Sequence, residues 1–188
     1  RTIFDENLIA IELKKAEIVF NKPLYIGMAI LDLSKIVMYD FHYGFMVPKM
    51  GIDNCRLMYM DTDSFLYELN CNDVYEEVLK SNLEKFDTSD YAADNPYQIP
   101  QVNKKVLGLM KDETNGKIVS HFVGLRSKMY SFKVQGGKVT KKIKGIKNNI
   151  VKNKISFEDY LECLKEYKTI SVTQRTIRSF KHTVFSIE

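Results

Sequence analysis

The sequence has little cysteine and little histidine, three of each in 188 residues. Cys55, Cys71 and Cys163 are odd in number and lack the paired spacing of a zinc site, so reduced thiols in an intracellular protein are expected. His42, His121 and His182 lie far apart in sequence, which leaves little basis for a zinc centre or a histidine-based catalytic site. No apolar run approaches the roughly 18 residues of a membrane span, and the first residues lack the pattern of a secretory signal. A membrane partner is therefore not expected. Internal repeats and low-complexity tracts are also missing. The first residue is Arg1 rather than Met, and the chain enters directly at strand-like sequence, so it reads as a piece of a longer polypeptide.

What is present describes a globular chain, 45% hydrophobic and 28% charged, long enough for one domain or two small ones with a real core. Its charge is unevenly spread. Residues 101–154 hold fourteen of the 28 basic residues but only two of the 24 acids, Asp112 and Glu113. That stretch carries +12 and the rest of the chain −8, against an overall charge of +4. Such a run is either a solvated face or the electrostatic footprint of a polyanion partner.

Along the chain, alternation over 7–20 predicts an opening hairpin with Lys14-Lys15 at its centre, with a helix as the alternative. Asn21-Lys22-Pro23 is a helix start, and apolar residues from Leu24 to Phe45 predict one long amphipathic helix to about residue 46, ended by Pro48 and Gly51. Its Met and aromatic content suits a core helix better than a binding face. Asn72-Asp73 offers a helix cap, with Val74, Tyr75, Val78, Leu79 and Leu83 as the buried stripe. A loop follows from Phe86 to Pro100. Residues 104–111 and 117–123 are expected to pair as strands through Asn115-Gly116. Strands over about 127–134 and 138–144 are joined by Gln135-Gly136-Gly137. Ser156-Phe157-Glu158-Asp159 resembles a helix-start box, followed by an apolar face of Tyr160, Leu161, Leu164 and Tyr167. Weak alternation in the tail predicts a last strand or two.

The most informative stretch is Tyr59-Met60-Asp61-Thr62-Asp63-Ser64, two acids one residue apart between apolar, strand-forming flanks. By simple alternation Leu57, Tyr59, Asp61, Asp63, Phe65, Tyr67 and Leu69 share one face. Either the acids face a core, at a high cost for unpaired charge, or a tight turn lifts them out of it. Asp-Thr-Asp-Ser is ordinary turn chemistry. Two carboxylates on a rigid hairpin tip would also suit Mg²⁺, which takes one or two protein carboxylates and leaves other positions to water and phosphates.

With its flanks, this hairpin resembles the third polymerase motif of family B DNA polymerases. Lys22-Pro23-Leu24-Tyr25-Ile26-Gly27 and its continuation to Tyr43 are similar to the segment before that motif in the protein-primed members, those of linear plasmids, viruses and Maverick/Polinton transposons. Phe86-Asp87-Thr88-Ser89-Asp90-Tyr91, Asn103 to Gly108, Met110 to Glu113, Phe122 to Tyr130 and Lys144-Gly145-Ile146-Lys147 follow in the family's order.

The resemblance implies an α+β fold: a mostly antiparallel palm sheet with packed helices, plus a smaller mixed thumb. Residues 1–100 would be partial palm and 101–188 the end of the palm and a basic thumb. It implies that Asp63 binds two catalytic Mg²⁺ ions with Asp61 as its neighbour, Thr62 and Ser64 forming the turn. Lys128 and Tyr130 would hold the primer end as a Lys-x-Tyr motif. Arg126, Lys144 and Lys147 would contact DNA through its backbone. The implied partners are a DNA primer-template, deoxynucleoside triphosphates and a terminal protein as a candidate primer. The chain lacks the Asp-x-x-Ser-Leu-Tyr-Pro motif that supplies the opposing metal ligand, the nucleotide-gripping Lys-x-x-x-Asn-Ser-x-Tyr-Gly helix and the exonuclease acids. These residues alone are therefore expected to be inactive as a polymerase. The alternatives are a non-catalytic DNA-binding polymerase relic and a basic interaction domain with no nucleic-acid role.

Overall fold

Two hydrophobic clusters organise the chain. A computed structural model describes residues 1–13, 17, 19, 21–181 and 183–187. The architecture is mixed helix and strand, with small sheets that are mostly antiparallel. Among the described residues no helix is long and apolar enough to cross a membrane.

The opening hairpin forms earlier than alternation predicts: β1 (Thr2–Asp5) pairs with β2 (Leu8–Ala10) around Glu6-Asn7. The expected turn at Lys14-Lys15, with Ala16, Ile18 and Phe20, lies outside the described residues. Helix α1 (Leu24–Tyr39) is capped by Pro23 in an extended conformation, so the proline precedes the first turn. The helix continues through wide π-type turns (Asp40–Met46) into α2 (Val47–Met50), which contains Pro48 near its start. Only Gly51, at φ 81°, stops it, because that backbone conformation favours glycine. The expectation of a core helix fails for α1. Met38 is its only buried residue, while Leu24 is 86% and Tyr25 75% exposed. Apolar residues occur nearly all round this helix, and the described chain covers little of it.

Burial begins where the helix widens. Met46 enters the first cluster with Cys55, Tyr75, Val78, Leu79, Phe86, Tyr91 and Ile99, and Phe41 and Phe45 pack against it. Strands β3 (Cys55–Asp61) and β4 (Ser64–Leu69) form the expected hairpin. Asp73 caps the next helical segment as expected, its Oδ1 accepting from the Tyr75 amide at 2.8 Å. That segment is a π-type turn (Tyr75–Leu79) running into a 3₁₀ stretch (Lys80–Lys85), not one regular helix.

The hairpin expected through Asn115-Gly116 does not form. The turn is present, with both residues at positive φ, 49° and 85°. However, the residues before it run alongside another partner: β6 (Met110–Lys111) pairs in parallel with β5 (Phe86–Asp87). Asp112 explains the turn without a strand stem. Its carboxylate accepts from the Thr114 amide at 2.8 Å, the Gly116 amide at 2.7 Å and the Tyr91 hydroxyl at 2.6 Å.

The second cluster belongs to a three-stranded antiparallel sheet, β7 (Val119–Arg126), β8 (Met129–Val134) and β9 (Val139–Ile143). Short helix α3 (Asn148–Lys154) leads to α4 (Phe157–Glu166), whose Phe157 and Tyr160 pack on Val123. The predicted box at Ser156 is real. Its hydroxyl accepts from the Asp159 amide at 3.1 Å, and Asp159 Oδ2 accepts from the Ser156 amide at 2.7 Å. Asp is long enough here to do what Glu or Gln usually does. Leu164 and Tyr167 are not part of a buried face, at 49% and 92% exposed; Tyr167 lies beyond the last helical turn, in a left-handed conformation. The tail forms the hairpin β10 (Thr176–Phe180) and β11 (Thr183–Ile187), and Arg175 pairs with Asp5 at 3.0 Å.

Candidate nucleic-acid interface

Side-chain alternation along β3 is interrupted by one residue. Leu57 pairs with Tyr67, but Tyr59 pairs with Leu66, so Met58 is an extra residue in a β-bulge. A bulge shifts every later side chain to the opposite face. Cys55, Leu57, Phe65, Tyr67 and Leu69 therefore face the helical cluster, where Phe65 lies 6.2 Å from Phe41 between ring centroids and the Tyr67 hydroxyl meets His42 Nδ1 at 3.0 Å. Tyr59 and Asp61 face the other way. The single face expected for all of them is thus corrected: the bulge divides it into a core face and a site face.

At the tip, Thr62 and Asp63 make a two-residue turn between paired Asp61 and Ser64, with Thr62 at φ 55°. The Asp61 carbonyl accepts from the Asp63 amide at 2.6 Å and from the Ser64 hydroxyl at 3.2 Å. The acids are lifted out of the core, and Asp63 is exposed.

A second two-residue turn approaches this tip. Ser127 and Lys128 connect β7 to β8 between paired Arg126 and Met129, with Lys128 at φ 59°. The Lys128 carbonyl accepts from the Lys144 amide at 3.0 Å, which anchors the turn to the end of β9. Lys128 Nζ donates to Asp61 Oδ1 at 2.6 Å. The two side chains are 43% and 27% exposed. This ammonium holds the Asp61 carboxyl below the usual carboxylate range, chiefly through the hydrogen bond, with Thr62 and Lys144 adding to it and partial desolvation opposing.

Aromatic packing sets the two tips in register. Tyr59 stacks on Tyr130 at 4.5 Å between centroids and on Phe122 at 5.9 Å. Tyr130 is buried, and that burial, with the Tyr59 hydroxyl and the Asp61 charge, raises its phenol above its ordinary range. Gly124 sits opposite Tyr130 in the sheet, and a Cβ there would lie 3.0 Å from the Phe122 ring.

Arg126, Ser127, Lys128, Met129 and Lys144 line a shallow cleft of about 280 Å³ beside the tip. Five of the residues singled out in the sequence, Asp61, Lys128, Tyr130, Arg126 and Lys144, are thus gathered here, with Asp63, Thr62 and Ser64 on the adjoining turn. Lys147 is not among them. Its ammonium donates to the Arg175 carbonyl, and it lines a different cleft with Asp5, Asn7 and Arg175. Other members of the basic stretch are also engaged internally: Lys141 Nζ donates to the Lys152 carbonyl at 2.9 Å, and Lys133 pairs with Glu158 at 2.7 Å. Tyr59 and Phe122 were not singled out as site residues. The pattern Tyr-x-Asp was visible, but which face Tyr59 takes depends on the bulge.

For a cation, the tip offers two carboxylates. Among the described residues no group of three or more His, Cys, Asp or Glu side chains is placed to hold a metal ion. Two carboxylates match what Mg²⁺ takes from a protein when water and phosphates complete its octahedron. The donor set therefore suits an open site shared with a phosphate ligand rather than a closed cage.

No protein-family model matches the chain, no curated protein matches it, and no solved structure matches it.

Proposed function

We propose that this chain is part of a DNA-directed DNA polymerase that extends a primer with deoxynucleotides, with a terminal protein as the candidate primer. The observation that carries this reading is the meeting of two hairpin tips distant in sequence, with Lys128 Nζ 2.6 Å from Asp61 Oδ1 and Tyr130 stacked on Tyr59 beneath them. Carboxylates for a cation and cations for phosphate lie side by side on rigid strands, as nucleotidyl transfer requires. Asp63, with Asp61 beside it, would hold Mg²⁺, which would supply activation of the primer 3′ oxygen and stabilisation of the leaving pyrophosphate. Lys128, Arg126 and Lys144 hold backbone phosphate, and Tyr130 supports the tip from below.

Two carboxylates are too few to fix two metal ions, so catalysis needs an opposing acid supplied from outside these residues. That same shortage favours the second reading, a DNA-binding relic without chemistry.

Binding to a duplex with a recessed 3′ end, measured across a salt series, tests the shared core of both readings. The expected log–log slope has a magnitude of about 3 or more, since each phosphate contact contributes about 0.9. A slope near zero, or equal affinity for an acidic protein, overturns the DNA reading. In a polypeptide that also supplies the opposing acid, Asp63→Ala abolishes primer extension and leaves DNA binding unchanged. If that polypeptide with Asp63 intact extends no primer, the relic reading stands instead.

A further inference from the structure

We propose that Lys128 is the resident counter-ion of Asp61, and that a divalent cation at the tip and a phosphate in the adjoining cleft each gain affinity when the other opens this pair. The inference rests on the polymerase reading for the identity of the two ligands, and on the geometry of the pair for their coupling.

Lys128 Nζ sits on Asp61 Oδ1 at 2.6 Å, the same oxygen that the Thr62 hydroxyl approaches at 3.4 Å. A cation coordinated by that oxygen has to displace the ammonium. A phosphate in the cleft lined by Arg126, Lys128 and Lys144 draws the same ammonium away from the carboxylate. The Lys128 backbone is held by the Lys144 amide, and the Tyr59–Tyr130 stack holds the two strands together. Opening the pair thus needs only a swing of the flexible lysine side chain, which is 43% exposed.

Each ligand alone bears the full cost of opening the pair. When both bind, the cost is met once. The coupling is reciprocal by thermodynamic linkage, so phosphate raises cation affinity by the factor by which the cation raises phosphate affinity. An exposed pair of this kind is worth about a two- to fivefold change in affinity.

Direct contact between metal and phosphate would also couple them, so the test uses each ligand alone. Inorganic tripolyphosphate without metal is titrated against the wild type, Asp61→Asn and Asp63→Asn. Mg²⁺ without phosphate is titrated against the wild type, Lys128→Met and Lys144→Met. Both titrations follow the backbone amide shifts of residues 61–64 and 126–130. Asp63→Asn and Lys144→Met make the same charge changes without touching the pair, so they report through-space electrostatics. The expected result is that Asp61→Asn tightens tripolyphosphate about two- to fivefold beyond Asp63→Asn, and that Lys128→Met tightens Mg²⁺ by a similar factor beyond Lys144→Met. Equal effects within either pair of variants overturn the proposal, as does a Lys128→Met chain whose tip amides do not respond to millimolar Mg²⁺. Neither titration uses nucleic acid. A flat salt slope with DNA therefore sinks the polymerase reading alone, and equal variants beside a steep slope sink the counter-ion role alone.

Discussion

The two faces of the β3–β4 hairpin are built from similar residues and do different work. Toward the helices, Cys55, Phe65, Tyr67 and Leu69 meet Phe41, His42 and the buried cluster around Phe86, where aromatic packing leaves little polar surface. Toward the sheet, Tyr59 uses the same kind of ring to stack on Tyr130 and Phe122, but the strand then continues into Asp61 and a basic cleft. A half-buried aromatic is thus a core residue on one face and a support for charge on the other. Neighbours across the sheet decide which.

This contrast leads to separable expectations. Truncation of Phe86, buried and edge-on to Phe41 and Phe45, should cost about 3–5 kcal/mol in a denaturant titration. The tripolyphosphate affinity of the folded fraction should not change. A parallel loss of affinity would mean that the faces are not independent. Inserting one residue between Leu66 and Tyr67 gives Met58 a partner, which removes the bulge and turns Tyr59 and Asp61 toward the helical core. A loss of about 3 kcal/mol, or roughly 6–12 °C in melting temperature, is expected, together with loss of the Lys128–Asp61 contact in a structure of the variant. If the contact survives, the bulge does not set the face.

The smallest effect lies on the helical side. Asp87 accepts from the Ser89 and Lys105 amides at 3.0 Å each. Hydrogen bonds from the Ser89 side chain, the Ser89 amide and the Lys105 amide lower its carboxyl to about 2. A carboxyl lowered in the folded state stabilises above its unfolded value of 3.8, and that contribution is lost as pH falls from there through about 2. Asp87→Asn should therefore flatten the fall in melting temperature across this window. An unchanged acid limb would remove Asp87 from the account.

Much of the fold was legible locally. The Asp-Thr-Asp-Ser turn, the Ser156–Asp159 box, the glycine-rich turn after β8 and the cap at Asp73 all satisfy backbone groups within a few residues, so neighbouring side chains specify them. The candidate site was legible as a set of residues, since acids one apart and a lysine–tyrosine pair are visible in order. Its assembly was not, as Lys147 illustrates: it lies in the same basic stretch as Lys144, yet its ammonium is taken by the Arg175 carbonyl.

The amino-acid sequence by itself determined where the chain turns, where charge accumulates and which segments can be strands or helices, because these follow from local sterics, hydrogen bonding and periodicity. Tertiary structure alone decided which face each residue takes and whether an apolar stripe is covered. The Met58 bulge turned Asp61 toward Lys128, parallel pairing with Phe86–Asp87 took Met110–Lys111 from its expected hairpin, and α1 kept most of its apolar surface exposed. Each outcome depends on a partner distant in sequence, and local pattern carries no information about that partner.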